Sequence, residues 1–344
     1  TEASQAALSV VVVTHDSGDA LRRSLPPLVA QLRPGDELVV CDNASRDGTP
    51  DRVRELAPAA ILLEPGENLG FAAGCNRGAA RASNPLLLLL NPDVVVGPDF
   101  RDAIERPLSE RPGWAAWQGL VTDRGGEAIN SLGGVVHFTG IAWAGGAGRD
   151  VAEAPREPRE VAFASGACLA IRREAWRELG GFPEDYFLYH EDADLGLRLW
   201  LAGHRVGIEP RALCDHEYEF GKGAAKWRYL ERNRWATIVR TYPTRLLLPL
   251  LPGLLATELA LLPVAVRGGW LREKLAAWRE AAAWMPRLLR ERGAIQAGAE
   301  LDASSFARAC LTPDLGSEFL GAAGRSPLLR ALLRGYWAVV SRLI

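Results

Sequence analysis

Cysteine is scarce and unclustered in this chain. Cys41, Cys75, Cys168, Cys214 and Cys310 lie far apart, and none belongs to a C-x-x-C pair. A thiolate metal site and a disulfide framework are therefore not expected, and a reducing cytosol suits the chain. Two nucleotide signatures are also missing. No G-x-G-x-x-G follows the first apolar run, and no G-x-x-x-x-G-K-[ST] occurs, so dinucleotide and P-loop chemistry lose their main support. The polar start, residues 1–7, lacks the apolar core of a signal peptide. No Ser or Cys has an obvious activating His, which argues against a covalent enzyme intermediate.

What is present divides by charge. The 344 residues carry a formal net charge of −2, but residues 221–344 hold 19 Lys and Arg against 9 Asp and Glu. The preceding residues hold 21 against 33. An acidic front and a basic back imply two jobs, the basic part facing an anionic surface or partner. The length allows one large catalytic domain and an appendage. We expect the catalytic domain at 1–226 and a helical, basic and apolar region at 227–344.

The front half alternates strand and helix patterns. Residues 8–14 form a β-branched run and 86–90 a run of leucines, each suited to a strand buried on both faces. Between them the pattern predicts helices at 20–32, 49–56 and 71–82 and strands at 37–41 and 60–63. Further strands are expected at 161–171 and 204–208. This alternation predicts an α/β fold with a mostly parallel sheet and a ligand site beyond the carboxyl ends of its strands. Polar residues gather in the loops at those ends: Thr14-His15-Asp16-Ser17, Asp42 to Gly48, Gly66-Glu67-Asn68-Leu69-Gly70, and Asn91-Pro92-Asp93. Asx-rich turns would account for one or two such loops but less well for four. Gly70, Gly74 and Gly78 recur every four residues, a bare stripe read first as close helix–sheet packing. A Gly-rich stretch, 133–148, reads as a mobile hairpin or lid, and Ser165-Gly166-Ala167 as a place where a ligand comes close.

The densest chemistry lies at His190-Glu191-Asp192-Ala193-Asp194, between an aromatic run and an apolar helix expected to end at Gly203. Crowded carboxylates at the edge of a core carry a desolvation and repulsion cost. Helix capping needs only one of them, and Asp194 is assigned that part. Asp192 is read as a general base on a hydroxyl acceptor, with Glu191 and His190 shaping its surroundings. Asp93 and His216 could supply two ligands to a hard divalent cation, Mg²⁺ or Mn²⁺, with phosphate oxygens and water completing its shell. Asp16 and Asp42 would bond a nucleotide's base and ribose, and Asn68 and Asn76 a ribose or diphosphate; Thr14, Gly70 and Asn91 complete the donor side, and Gly166 and His190 the acceptor side.

From Trp227 the character changes. Residues 246–266 are almost wholly apolar and long enough to span a membrane, but Pro249, Pro252, Pro263 and Glu258 weaken a spanning reading. Residues 270–292 mix Trp with Arg and Lys, as in a helix lying at lipid headgroups. A helical bundle packed on the catalytic domain is the alternative. No nucleic-acid-binding motif accompanies the basic charge, so nucleic acid is not an expected partner.

Several of these motifs together are familiar. Residues 10–14, the Cys41-Asp42-Asn43-Ala44-Ser45-Arg46-Asp47-Gly48-Thr49 loop, Asn68-Leu69-Gly70-Phe71, Asn91-Pro92-Asp93 and the 190–198 segment resemble family 2 inverting glycosyltransferases. The likeness covers roughly Leu8 to Tyr218 and is nearest to bacterial rhamnosyl- and galactofuranosyltransferases. It implies a GT-A fold, a nucleotide-diphosphate sugar donor, Mg²⁺ or Mn²⁺, and inversion at the anomeric carbon. By position, Asp93 and His216 would bind the metal and Asp192 would be the base. Asn91 departs from the family's D-x-D, leaving one carboxylate fewer at the metal. The implied activity is transfer of a sugar such as rhamnose from a dTDP-type donor to a lipid-linked, polyprenyl-borne saccharide in cell-envelope glycan synthesis. Its expected setting is the membrane surface, at the cytoplasmic face of a bacterial inner membrane; a homo-oligomer is left open. Two rivals stand beside this reading. A nucleotidyltransferase would want a basic loop after the first strand, and residues 14–18 contain no Lys or Arg. A non-catalytic nucleotide-sugar-binding protein would tolerate Asn91.

Overall fold

The computed structural model describes residues 6–216, 223–316 and 326–344. The first five residues of the polar start, and Tyr218 at the end of the family likeness, lie outside them. The chain divides into two units: 1–133 with 144–199 and 204–219, and 134–143 with 200–203 and 220–344. The hairpin tip at 134–143 thus groups with the C-terminal helices.

The first unit is an α/β sheet flanked by helices. In chain order it holds β1 (Leu8–Thr14), α1 (Gly18–Val29), β2 (Glu37–Asp42), α2 (Thr49–Leu56), β3 (Ile61–Leu63), α3 (Gly70–Arg81) and β4 (Leu86–Leu90). There follow β5 (Val94–Val96), α4 (Phe100–Glu105), α5 (Pro107–Glu110), β6 (Trp114–Asp123) and β7 (Ala128–Ser131). Beyond the hairpin strands β8 (Gly134–His137) and β9 (Ala142–Ala144) come β10 (Arg159–Glu160), β11 (Cys168–Arg172), α6 (Arg173–Glu178), α7 (Glu191–Leu201) and β12 (Arg205–His216). The sheet runs β10-β12-β6-β11-β4-β1-β2-β3. Strands β3, β2, β1 and β4 are parallel, while β11 runs antiparallel between β4 and β6. Every residue of β1 and β4 is buried, as runs covered by helices on both sides must be.

The predicted helix at 49–56 and strand at 86–90 are observed with those bounds. Residues 161–167 are not strand. Their N–H groups go elsewhere, Val161 to the Val206 carbonyl, Ser165 to Gln118 and Gly166 to Asp192, and the ladder starts only at Cys168. The glycine stripe is a packing device. A Cβ on Gly74 would stand 2.7 Å from Val13 Cγ1, and one on Gly78 2.3 Å from Val11 Cγ1, so α3 lies directly on β1.

The second unit contains α8 (Ala225–Thr241), α9 (Thr244–Arg267), α10 (Leu271–Ala297), α11 (Ala303–Cys310), β13 (Leu311–Thr312) and α12 (Pro327–Leu343). The Gly-rich hairpin is anchored here, because β8 pairs in parallel with β13 at Val136 and His137. Inside the unit sits a charged cluster. Lys274 Nζ donates to Glu231 Oε2 at 2.5 Å and to Glu258 Oε2 at 2.9 Å, and Arg234 bonds both carboxylates. Glu258, which interrupts the apolar run of α9, is thereby neutralised by cations from α8 and α10.

Candidate active site

Parallel strands bring their carboxyl ends to one edge of the sheet, and the four polar loops meet there. The antiparallel β11 starts at the same edge, so Ser165-Gly166-Ala167 joins them. After Asp93 the chain turns back as β5 and pairs antiparallel with the end of β12, setting His216 opposite Val94. That pairing draws together residues far apart in sequence. His216 Nε2 lies 3.1 Å from Asp93 Oδ1, and the Asn91 amide is 3.4 Å from the same ring nitrogen. Among the described residues no group of three or more His, Cys, Asp or Glu could hold a metal ion. The donor set is therefore one carboxylate and one imidazole, with a neutral amide where a second carboxylate could stand. It suits a hard cation whose remaining ligands come from phosphate and water.

Asp192 is joined to this corner by backbone. Its Oδ2 accepts the Gly166 N–H at 3.0 Å and its Oδ1 the Ala193 N–H at 2.8 Å. One residue on, the Ala167 carbonyl accepts the Asn91 N–H at 3.0 Å. A single turn thus ties the half-buried Asp192 to the Asn91–Asp93 loop. Gly166 packs tightly, since a Cβ there would come within 3.0 Å of the Phe71 ring. Gln118, fully buried in β6, receives the Ser165 N–H at 2.8 Å and holds the turn from below.

Burial raises the Asp192 carboxyl above the usual aspartate range, which suits a base that must take up a proton near neutrality. Glu191 is buried, and its Oε2 has no hydrogen-bond partner among the described residues. Desolvation, then the charge of Asp192, pushes its carboxyl well above the usual range. The two adjacent acids thus differ in environment, one held by two N–H groups and the other buried with an oxygen left unbonded among the described residues.

The backbone leading to them is strained. Phe187, Tyr189 and His190 have φ values of 63°, 71° and 69°, a region that costs non-glycine residues energy and recurs at functional sites. The anchor is α3. Its first N–H groups, on Phe71 and Ala72, donate to the Phe187 carbonyl at 2.7 and 3.2 Å. A Cβ on Gly70 would meet that oxygen at 2.6 Å, so only glycine permits the cap.

Some expected roles change. Asp194 is not the helix cap: fully buried, it pairs through Oδ1 with Arg198 at 2.6 Å and accepts from Tyr186. Arg198 also donates to the Leu179 and Gly181 carbonyls, both at 2.7 Å, so this pair ties α7 to the 179–181 turn. Asn76 spends its amide on the Phe182 N–H, the Phe182 carbonyl and Glu184, which replaces the ribose or diphosphate role expected of it. The other donor-side residues line the sheet edge. Asp42 is buried and accepts from Thr14 Oγ1 at 2.7 Å and from Ser45. Asp16 is exposed and caps the Arg46 N–H, and Asn68 accepts the Gly70 N–H at 2.9 Å. Sequence reading missed Asn43 and Gln118 as organisers. Asn43 Nδ2 holds the Gly70 carbonyl at 3.0 Å; Gln118 announced itself only as a polar residue inside an apolar strand.

Known proteins resemble this chain. Residues 9–180 match the profile of Glycosyl transferase family 2. The N-acetylglucosaminyl-diphospho-decaprenol L-rhamnosyltransferase of Mycobacterium tuberculosis is 32% identical over 254 residues, 67% of this chain and 83% of that protein. Among solved structures, GalNAc-T7 with UDP, GalNAc and Mn²⁺ superposes with a TM-score of 0.59 at 16% identity, over 71% of this chain and 49% of that one. The mannosyltransferase PcManGT of Pyrobaculum calidifontis, in complex with GDP-Man and Mn²⁺, gives 0.50 at 19% identity, over 98% and 86%. These structural likenesses speak for the GT-A fold alone. The nucleotidyltransferase and binding-protein alternatives fall away, because the family profile and the rhamnosyltransferase likeness both belong to glycosyltransferases. The chain belongs to glycosyl transferase family 2 and is a glycosyltransferase.

Proposed function

We propose that the protein transfers a deoxyhexose, rhamnose, from a dTDP-type donor to a hydroxyl of a polyprenyl-diphosphate-linked saccharide, with inversion. The reading also sets it at the cytoplasmic face of a bacterial inner membrane. The observation that carries the reaction type is the turn joining Asp192 to the Asn91–Asp93 loop, which couples a base to the corner suited to a diphosphate. The rhamnosyltransferase name of the mycobacterial relative supports the sugar and the lipid-linked acceptor.

In this mechanism Asp192 accepts the proton of the acceptor hydroxyl as that oxygen attacks the anomeric carbon. The bond from that carbon to the donor diphosphate breaks, and the nucleoside diphosphate departs with the electron pair. The Gly166 and Ala193 N–H groups hold the carboxylate during attack, which makes geometry a large share of the rate. Thr14, Asp16, Asp42, Asn68, Gly70 and Asn91 border the donor; His190 and Gly166 border the acceptor. Asp93 and His216 would hold a divalent cation, Mg²⁺ or Mn²⁺ as the Mn²⁺-bearing neighbours suggest, and it would neutralise the leaving diphosphate.

The test is a panel of nucleotide sugars incubated with purified protein and a polyprenyl-diphosphate-GlcNAc acceptor, with Mn²⁺, with Mg²⁺ and with chelator. Cation-dependent release of dTDP from dTDP-rhamnose, with an inverted product, is expected. Binding or turnover of no nucleotide sugar refutes the reading, and preference for another sugar refutes its donor assignment.

A further inference from the structure

The second unit leaves a large apolar surface uncovered. Helix α9 is long and apolar enough to cross a membrane, yet only 17% of its most apolar 18-residue window is buried. Its periodicity explains this. Leu246, Leu250, Leu254 and Glu258 recur every four residues and form the buried stripe. Leu248, Leu255 and Leu259 lie on another side and are 62%, 62% and 69% exposed. Helix α12 packs beside α9, where Tyr336 Oη donates to the Pro249 carbonyl at 2.6 Å and accepts the Gly253 N–H at 3.0 Å. Leu328, Leu332 and Val339 stand at i−8, i−4 and i+3 from Tyr336, so they share its stripe, and all three are exposed. Arg245 and Arg267 stand exposed at the two ends of α9, and Arg330 and Arg342 at those of α12. Exposed leucines between exposed cations complement a bilayer surface with anionic headgroups.

The charged cluster decides how such a surface can meet a membrane. At about 1.5 Å per residue the 24 residues of α9 would span a bilayer. A spanning α9 would carry Glu258 into the hydrocarbon. Glu258 bonds directly to Arg234 of α8 and Lys274 of α10, so both helices would have to follow. Helix α10 alone carries Arg272, Glu273, Arg279, Glu280, Arg287 and Arg290, a set that hydrocarbon does not tolerate. Lying in the plane of the membrane avoids the conflict. The Glu258 stripe then faces protein and the leucine stripe faces lipid.

We infer that α9 and α12 form a monotopic docking face for an anionic lipid bilayer, with α9 lying in the membrane plane rather than crossing it. The inference rests on the membrane-surface reading above and adds the mode of attachment.

The full chain, with Arg245→Cys or Arg267→Cys introduced singly, is bound to sealed vesicles of phosphatidylglycerol and phosphatidylcholine and treated outside with a membrane-impermeant maleimide. The five native cysteines are buried and contribute little background. Labelling at both ends of α9 is expected; protection of one end means a span and overturns the proposal. A second variant, Leu255→Glu with Leu259→Glu, replaces only exposed side chains and should weaken vesicle binding about tenfold or more with an unchanged far-UV spectrum. Wild-type binding to these vesicles should fall several-fold at high salt and on pure phosphatidylcholine. Binding insensitive to both overturns the role of the arginines, and no vesicle binding at all overturns the docking face. Nucleotide-sugar turnover in the same samples separates the readings. Vesicle binding without turnover counts against the proposed activity, and turnover without vesicle binding counts against the docking face.

Discussion

Replacing Asp192 by Asn tests the base and its support together. The carboxylate uses one oxygen for the Gly166 N–H and the other for the Ala193 N–H. Asparagine offers a single oxygen, so whichever way its amide points, an NH₂ faces one of those donors. Two losses follow. Removing the base should lower kcat by roughly 10²- to 10⁴-fold, which corresponds to about 2.7–5.5 kcal/mol of barrier. Leaving one N–H unsatisfied in a half-buried turn should cost about 1–3 kcal/mol of stability, lowering the melting temperature by about 2–4 °C per kcal/mol for a domain this size. The donor contacts lie elsewhere, so KM for the nucleotide sugar should barely move. The assay is initial-rate transfer at saturating donor, paired with a thermal melt. Gly166→Ala serves as the companion. It keeps the carboxylate but forces the Phe71 ring, 3.0 Å from the new Cβ, or the turn itself to give way. A smaller fall in kcat, about tenfold, is expected from the misplaced base. If Asp192→Asn keeps transfer within about tenfold of the parent, Asp192 is not the base.

Three more outcomes are expected. Because burial raises Asp192, the acid limb of the kcat–pH profile should lie above the usual aspartate range, activity falling as pH drops through it; a limb at the ordinary value would contradict the burial argument. Glu191 binds its proton more tightly folded than unfolded, so its own contribution to stability should be fullest below the ordinary glutamate range and decline as pH rises toward its raised value. Glu191→Gln should remove that decline, so the parent-minus-variant difference in urea midpoint should shift with pH across this range, and a difference independent of pH would disprove it. Lys274→Met leaves Glu231 and Glu258 to share Arg234, and the unfolding free energy should drop by about 3–5 kcal/mol; a variant as stable as the parent in denaturant titration would show that the cluster is not what holds α8, α9 and α10 together.

What could be read from the chain itself was whatever depends on local pattern. A β-branched run at 8–14 and five leucines at 86–90 can bury both faces only as inner strands, and residues 49–56 are bounded by Gly48 and a proline suited to a first helical turn. The polar loops followed, since parallel strands send their carboxyl ends to one edge. Candidate site residues were legible in the same local way, Asp93 just beyond the leucine strand and Asp192 within the crowded carboxylates at 191–194. Other assignments depended on partners distant in sequence. Asp194 resembles a cap until Arg198 and Tyr186 are seen to enclose it, and Asn76 resembles a ligand until Phe182 and Glu184 take its amide. Residues 161–167 have strand composition, but their donors are drawn off by Val206, Gln118 and Asp192. Nothing local marks 134–143 as part of the C-terminal unit, because its partner strand lies near residue 311.

The crowded carboxylates at 191–194 and the apolar run interrupted by Glu258 were thus evident from composition and spacing alone. Their meaning was settled only in three dimensions. Local sequence determines which groups must find a partner, through burial, charge and backbone preference. Which partner each one finds depends on chain crossings that bring β5 to β12, Phe187 to α3, and Lys274 to Glu258.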